Sequence, residues 1–188
     1  MKTHVALIGL SAILLWSSAV LGGDEPAWPK YTSKKAGFSV MMPGTPKEST
    51  KTLKTAYDNF EQTRVTFVSG AKGTAYAIHC TVLPDDLHQG IGLDEFLDSE
   101  CDLYVETAKA KLRSQKKIML GTLPGREIEY SLLNGRAISR TRIFLVDGRL
   151  YHVTVLMPRD RTDSGEMERF LDSFRLETMP TPLGVELY

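Results

Sequence analysis

The dipeptide Asn134-Gly135 constrains this chain more than any other feature. Both residues tolerate the positive φ that a two-residue type I′ turn demands, and apolar and polar residues alternate on either side of them, so the segment reads as a tight hairpin. Such a turn sets the register. Leu132 faces Ala137, Tyr130 faces Ser139 and Ile128 faces Thr141, while on the opposite face Glu129 meets Arg140 and Glu127 meets Arg142. Two opposite-charge pairs arising from one register support it, each by roughly a few tenths of a kcal/mol.

The next reversal, Val146-Asp147-Gly148, admits two readings. A two-residue Asp147-Gly148 loop places Val153 and Val155 across from Arg142 and Arg140, on the charged face. A three-residue loop with Gly148 left-handed shifts the pairing by one, so that Ile143 meets Tyr151, Thr141 meets Val153 and Ser139 meets Val155. A one-residue slip turns a whole strand over. Burial of the valines therefore favours the second loop, and predicts a polar outer ladder of Glu127, Arg142 and His152 beside Glu129, Arg140 and Thr154.

Other strands are expected at Gly37–Met42, closed by Pro43-Gly44, and at Arg64–Ser69, which Gly70–Gly73 turns back into Thr74–Leu83. Lys47 to Phe60 reads as weak strand and turn, and Leu123-Pro124-Gly125-Arg126 as a Pro-Gly turn. Apolar residues at spacings of three and four from Gly92 to about Arg113 predict one long helix. Asp94, Glu95, Asp98 and Glu100 lie near its start and Lys109, Lys111 and Arg113 near its end, which suits the helix dipole. A short helix from Ser164 to Phe174 would bury Met167, Phe170, Leu171 and Phe174. The expected fold is α+β: a mostly antiparallel sheet flanked by a long central helix and a short C-terminal helix, in one domain over residues 24–177, with residues 178–188 a loosely held tail.

The first residues have the three parts of a secretory signal: Lys2, an apolar run from Val5 to Trp16, and small residues through Gly23. The run is shorter than the ~20 residues a spanning helix needs. Residues 1–23 are thus expected to be a signal peptide, cut after Gly22 or Gly23 or else after Ala19; an uncleaved anchor helix is the other reading. The mature chain would be secreted or periplasmic, with no membrane span. Its 23 basic and 23 acidic residues balance before cleavage, whereas phosphate-directed nucleic-acid binding calls for a basic excess. Export also bears on the two cysteines. Cys80 shares a strand face with Tyr76 and Ile78, and Cys101 lies on the helix stripe with Phe96, Leu97 and Tyr104. Both thiols point to a core, where an oxidising compartment would close a bridge; two separate buried thiols are the alternative.

Gly37-Phe38-Ser39-Val40-Met41-Met42-Pro43-Gly44-Thr45-Pro46, the long middle helix, Gly125-Arg126-Glu127-Ile128-Glu129-Tyr130, the Arg142–Tyr151 strand pair and Phe170-Leu171-Asp172-Ser173-Phe174 together resemble the PsbP-like superfamily. Its members include extrinsic photosystem II subunits, a nuclear-transport factor that binds a small GTPase, and bacterial envelope proteins. These motifs are strand starts, turns and packing positions, so the resemblance implies an antiparallel sheet flanked by helices and carries over no binding residue.

No catalytic residue, cofactor or metal site is expected. Asp85-Asp86-Leu87-His88 has metal-ligand residue types but sits in a strand-to-helix loop, and no two histidines have helical ligand spacing. No serine has a nucleophile-elbow setting, and no glycine-rich loop opens a helix. The expected function is that of a non-enzymatic accessory or binding protein acting on another envelope or secreted protein. The alternative is a small-ligand binder or enzyme whose site is assembled on the face carrying Glu127, Glu129, Arg140, Arg142 and His152.

Overall fold

The structure, a computed structural model, describes residues 27–54, 59–84 and 91–177. The expected signal peptide, the expected tail and the Asp85–His88 segment lie outside the described residues. Its elements are β1 (Lys30–Ser33), β2 (Phe38–Met41), β3 (Lys47–Lys54), β4 (Asn59–Ser69), β5 (Thr74–Val82), α1 (Leu93–Thr107), β6 (Lys111–Leu120), β7 (Leu123–Leu132), β8 (Ala137–Val146), β9 (Arg149–Pro158), α2 (Glu166–Asp172) and β10 (Arg175–Leu176). Seven strands form an antiparallel sheet in the order β3-β4-β5-β9-β8-β7-β6, and β1-β2-β10 form a small second sheet. No described helix is long and apolar enough to cross a membrane.

Both faces of the large sheet are covered. On one side α1 packs Phe96, Leu97 and Cys101 against Ile128, Tyr130, Ile143 and Leu150. On the other, α2 and the small sheet bring Phe38, Val40, Met167, Phe170 and Phe174 onto Tyr76, Ile78, Val153 and Val155. This double cover decides the second hairpin. The first has the expected register, with Glu127 opposite Arg142 and Tyr130 opposite Ser139, and Asn134 and Gly135 at φ 57° and 83°. The second uses the two-residue loop, not the three-residue one. Asp147 and Gly148 are both left-handed, Val153 sits opposite Arg142, and His152 sits opposite Ile143. The valines need a core, but so do residues on both sides of the sheet, so the presence of charges did not mark an outer face. His152 consequently leaves the Glu127–Arg142 ladder for the opposite face.

The helix also ends earlier than its charge pattern implied. Lys109 adopts φ 49°, its N–H bonds to Glu106 O, and the Ala110 N–H bonds to Val105 O, a Schellman ending with lysine where glycine is usual. Lys111, Arg113, Lys116 and Lys117 then line β6, an edge strand. The lysines on β6 and β3 discourage edge-to-edge pairing, which is why two segments that looked like helix end and weak strand are sheet margins. The predicted turn at Pro124-Gly125 lies inside β7, with Gly121-Thr122 making the reversal.

The two thiols do not meet. Cys80 belongs to the core under α2 and Cys101 to the core under α1, and both are free and buried. The bridge is therefore corrected: each thiol points to a core, but the sheet has two. Burial pushes both thiols up, Cys101 to about 12, so neither is a ready thiolate. Reduction should leave the intact mass unchanged, and both thiols should resist a thiol reagent until the protein is unfolded. A gain of two hydrogens on reduction would contradict this arrangement.

Candidate functional site

The Glu127, Glu129, Arg140, Arg142 group exists but is fully paired, on the α2 side of the sheet. Arg142 Nε donates to Glu127 Oε2 at 2.7 Å and its Nη2 to Asp172 Oδ1 at 2.7 Å. Arg140 donates to Glu129 at 3.1 Å and to Glu168 at 2.6 Å. Lys116 from β6 also reaches Glu127, at 2.9 Å. Burial pushes the Glu127 carboxyl up, but Arg142 and Lys116 outweigh that and hold it below its usual range. The network clamps α2 and β6 onto β7 and β8. It leaves no group of the four unengaged for chemistry.

The other face holds a different constellation. Directly opposed strand residues share a face, so the registers lay out one row beneath α1: Arg64 on β4, His79 on β5, His152 on β9, Ile143 on β8 and Arg126 on β7. At one end the row is anchored. Arg126, 1% exposed, donates to Asp98 at 2.6 Å and to Asp94 at 2.8 Å, which fixes the first turns of α1 over β7. At the other end α1 stands over a cleft of about 640 Å³. Leu53, Phe60, Leu83, Leu103 and Leu150 supply apolar walls, while Gln62, Arg64, His79, Glu100 and His152 supply polar groups.

The histidines form its floor. His152 is 8% exposed and is covered by the Tyr104 ring, stacked at 4.9 Å and 16°. Tyr104 is held in place by a hydroxyl chain: its OH lies 3.1 Å from Thr154 Oγ1, which lies 3.0 Å from Thr141 Oγ1. Burial, helped by His79, pushes His152 down to about 3. Burial, then Arg64 and Lys51, push His79 down to about 4. Both imidazoles are thus neutral at pH 7, each with one donor and one acceptor nitrogen. Burial raises the Glu100 carboxyl, whose Oε2 lies 3.8 Å from His152 Nε2. That nitrogen is the one buried side-chain polar atom among the described residues without a hydrogen-bond partner. Native proteins leave few such groups unsatisfied, and each calls for an explanation.

On the Arg64 guanidinium, Nε donates to the Gln62 side chain at 2.7 Å, and Gln62 in turn donates to Thr81; among the described residues no carboxylate pairs with it. The cleft can therefore hold an apolar body while offering donors and acceptors at one end. Among the described residues no three His, Cys, Asp or Glu side chains converge as a metal centre needs.

Of the sequence candidates, only His152 belongs to this cleft. Arg64, Gln62, His79 and Glu100 were missed as a group. Alternation does place Gln62, Arg64, His79 and Thr81 on one polar face, and Glu100 and Tyr104 share an i, i+4 stripe beside Phe96 and Leu97. Bringing them together requires the β5–β9 pairing, which no local pattern announces.

No family model matches the chain, and no curated protein does. The solution structure of cyanobacterial PsbP (CyanoP) from Synechocystis sp. PCC 6803 does match in architecture, with a TM-score of 0.58 over 82% of this chain and 95% of that one, at 15% sequence identity. What the two chains share is the PsbP-like α+β fold, an antiparallel sheet covered by helices.

Proposed function

We propose that this is an exported binding protein that carries a small amphiphilic molecule in the cleft between α1 and strands β4, β5 and β9. The observation that carries the reading is the unpartnered, buried His152 Nε2 on the floor of a cleft with apolar walls. Concave, mostly apolar sites with a few convergent polar groups are where small ligands bind. The apolar body would lie against Leu53, Phe60 and Leu103, and the polar head would reach Arg64, His79 and Glu100. Export rests on the leader-like first 23 residues, and delivery to another envelope or secreted protein is the role such a carrier would serve. The fold adds no reaction to this, since function belongs to sites and not to folds.

The dye 1-anilinonaphthalene-8-sulfonate joins aromatic rings to an anionic head and serves as the probe. It should bind saturably at one site with enhanced fluorescence. Leu103 is 55% exposed at the cleft wall, so Leu103→Asp should keep the melting temperature and weaken dye binding by about tenfold or more, through lost apolar contact and repulsion of the anionic head. Equal binding by the folded variant would remove the cleft from consideration. Native mass spectrometry of protein from its own cell envelope would then show the physiological cargo as retained mass.

A further inference from the structure

We propose a second binding site, for a phosphate group, in the groove where α1 hands the chain to β6. This does not rest on the cleft reading. The groove, of about 640 Å³, is lined by Lys109, Lys111, Arg113, the Leu133–Gly135 turn and Arg159, and no carboxylate lines it. Arg113 pairs with Glu129 at 3.1 Å. Lys109, Lys111 and Arg159 have no carboxylate partner among the described residues. That contrasts with the other cations of β6, β7 and β8. Lys116, Lys117, Arg126, Arg140 and Arg142 each hold a carboxylate within 2.9 Å. A chain with balanced charge overall therefore concentrates uncompensated positive charge around one concavity.

The backbone there is unusual in the same place. Four described non-glycine residues have positive φ, and three of them, Lys109, Leu133 and Asn134, line the groove. A lysine and a leucine are disfavoured in this conformation, and residues held so cluster at ligand sites. Here it turns α1 and the β7–β8 hairpin so that Lys109, Lys111 and Arg159 surround one space. A single carboxylate would be neutralised by one of these cations. A phosphate carries up to two charges and three or more acceptor oxygens, which suits a planar Arg159 fork with two lysines as point charges. The absence of an overall basic excess argues against a long polyanion.

Free phosphate and a lipid headgroup present the same group, and two arms separate the sources. In the first, inorganic phosphate is titrated into the protein at constant ionic strength, with amide NMR as the readout. In the second, the protein is sedimented with phosphatidylcholine vesicles, with and without phosphatidylglycerol. A soluble ligand predicts shifts confined to residues 109–113, 133–135 and 159, not reproduced by chloride. A lipid source predicts sedimentation only with phosphatidylglycerol. In either case Lys111→Glu/Arg159→Glu should weaken the interaction about tenfold or more, while dye binding in the α1 cleft persists. Should that pair disturb folding, Lys111→Gln alone should still weaken it measurably. The site is wrong if phosphate shifts these amides no more than chloride does and phosphatidylglycerol does not recruit the protein, or if the folded variants bind as the parent does.

Discussion

Lowering the pH from 7 to 5 is expected to remove about 4 kcal/mol of folding stability through two histidines buried in the neutral form. An unfolded histidine titrates near 6.5, whereas His79 and His152 are held at about 4 and about 3 in the fold. Below pH 6.5 the unfolded chain therefore binds protons that the folded chain refuses, and stability falls as pH falls. The contribution is fully present above the unfolded value and is lost progressively towards the folded ones. Each unit is worth about 1.4 kcal/mol per group, so two groups over one and a half units give about 4 kcal/mol. Glu100 works in the opposite direction, because its raised carboxyl takes up a proton more readily in the fold. Arg64 and Lys51 act with burial, since their charges repel a proton on His79. The window from pH 6.5 to 5 also lies above the range where Glu127 and Glu166, both held low by cationic partners, would add their own losses. Urea unfolding at a series of pH values measures the slope. His152→Phe should keep the stack on Tyr104 and flatten the slope by about half. An unchanged slope in the folded variant would show that His152 does not take up a proton on unfolding, and the buried floor of the cleft would have to be redrawn.

That histidine pair also marks where the sequence stops being legible. Local chemistry reached the register of the first hairpin, because Asn134-Gly135 has few alternatives and two charge pairs agree with it, but not the left-handed Leu133 that widens its turn. It reached α2 as well, where Met167, Phe170, Leu171 and Phe174 are all buried. The second hairpin failed for a physical reason. Choosing between its loops meant deciding which face was wet, and neither is, because α2 brings Glu168 and Asp172 to the very arginines that had marked the outside. The same double cover separated Cys80 from Cys101. The end of α1 was obscured because lysines suit both a helix C-terminus and an edge strand, and only the left-handed Lys109 distinguishes them. The cleft was the least accessible of all. His79 and His152 are neighbours only because β9 inserts beside β5, and Glu100 reaches them only because Arg126 fixes α1 above.

Gly125 gives the sharpest test of this architecture, since a turn residue and a packed strand residue respond differently to one methyl group. In a Pro-Gly turn, alanine at this position would be nearly free unless φ were positive, and Gly125 has no such φ. In β7 it lies opposite Phe144. A Cβ built there would stand 2.4 Å from Phe144 Cδ1 and Cε1 and 2.7 Å from the Ile143 carbonyl oxygen. Phe144 is itself buried and stacked on Phe174 at 6.2 Å, so its ring cannot move without disturbing the α2 core. Gly125→Ala is therefore expected to cost about 3 kcal/mol, the upper end of ordinary overpacking, because a backbone atom as well as a ring blocks the new methyl. Phe144→Leu alone should cost about 1 kcal/mol. Combined, the two should be less damaging than their sum, since the smaller side chain removes the ring clash. The Ile143 carbonyl stays, so recovery should be partial. Chemical denaturation of the four proteins in this cycle gives the coupling directly. A neutral Gly125→Ala would mean that β7 does not pass beneath Phe144, and the register that places Arg126 under α1 would fall with it.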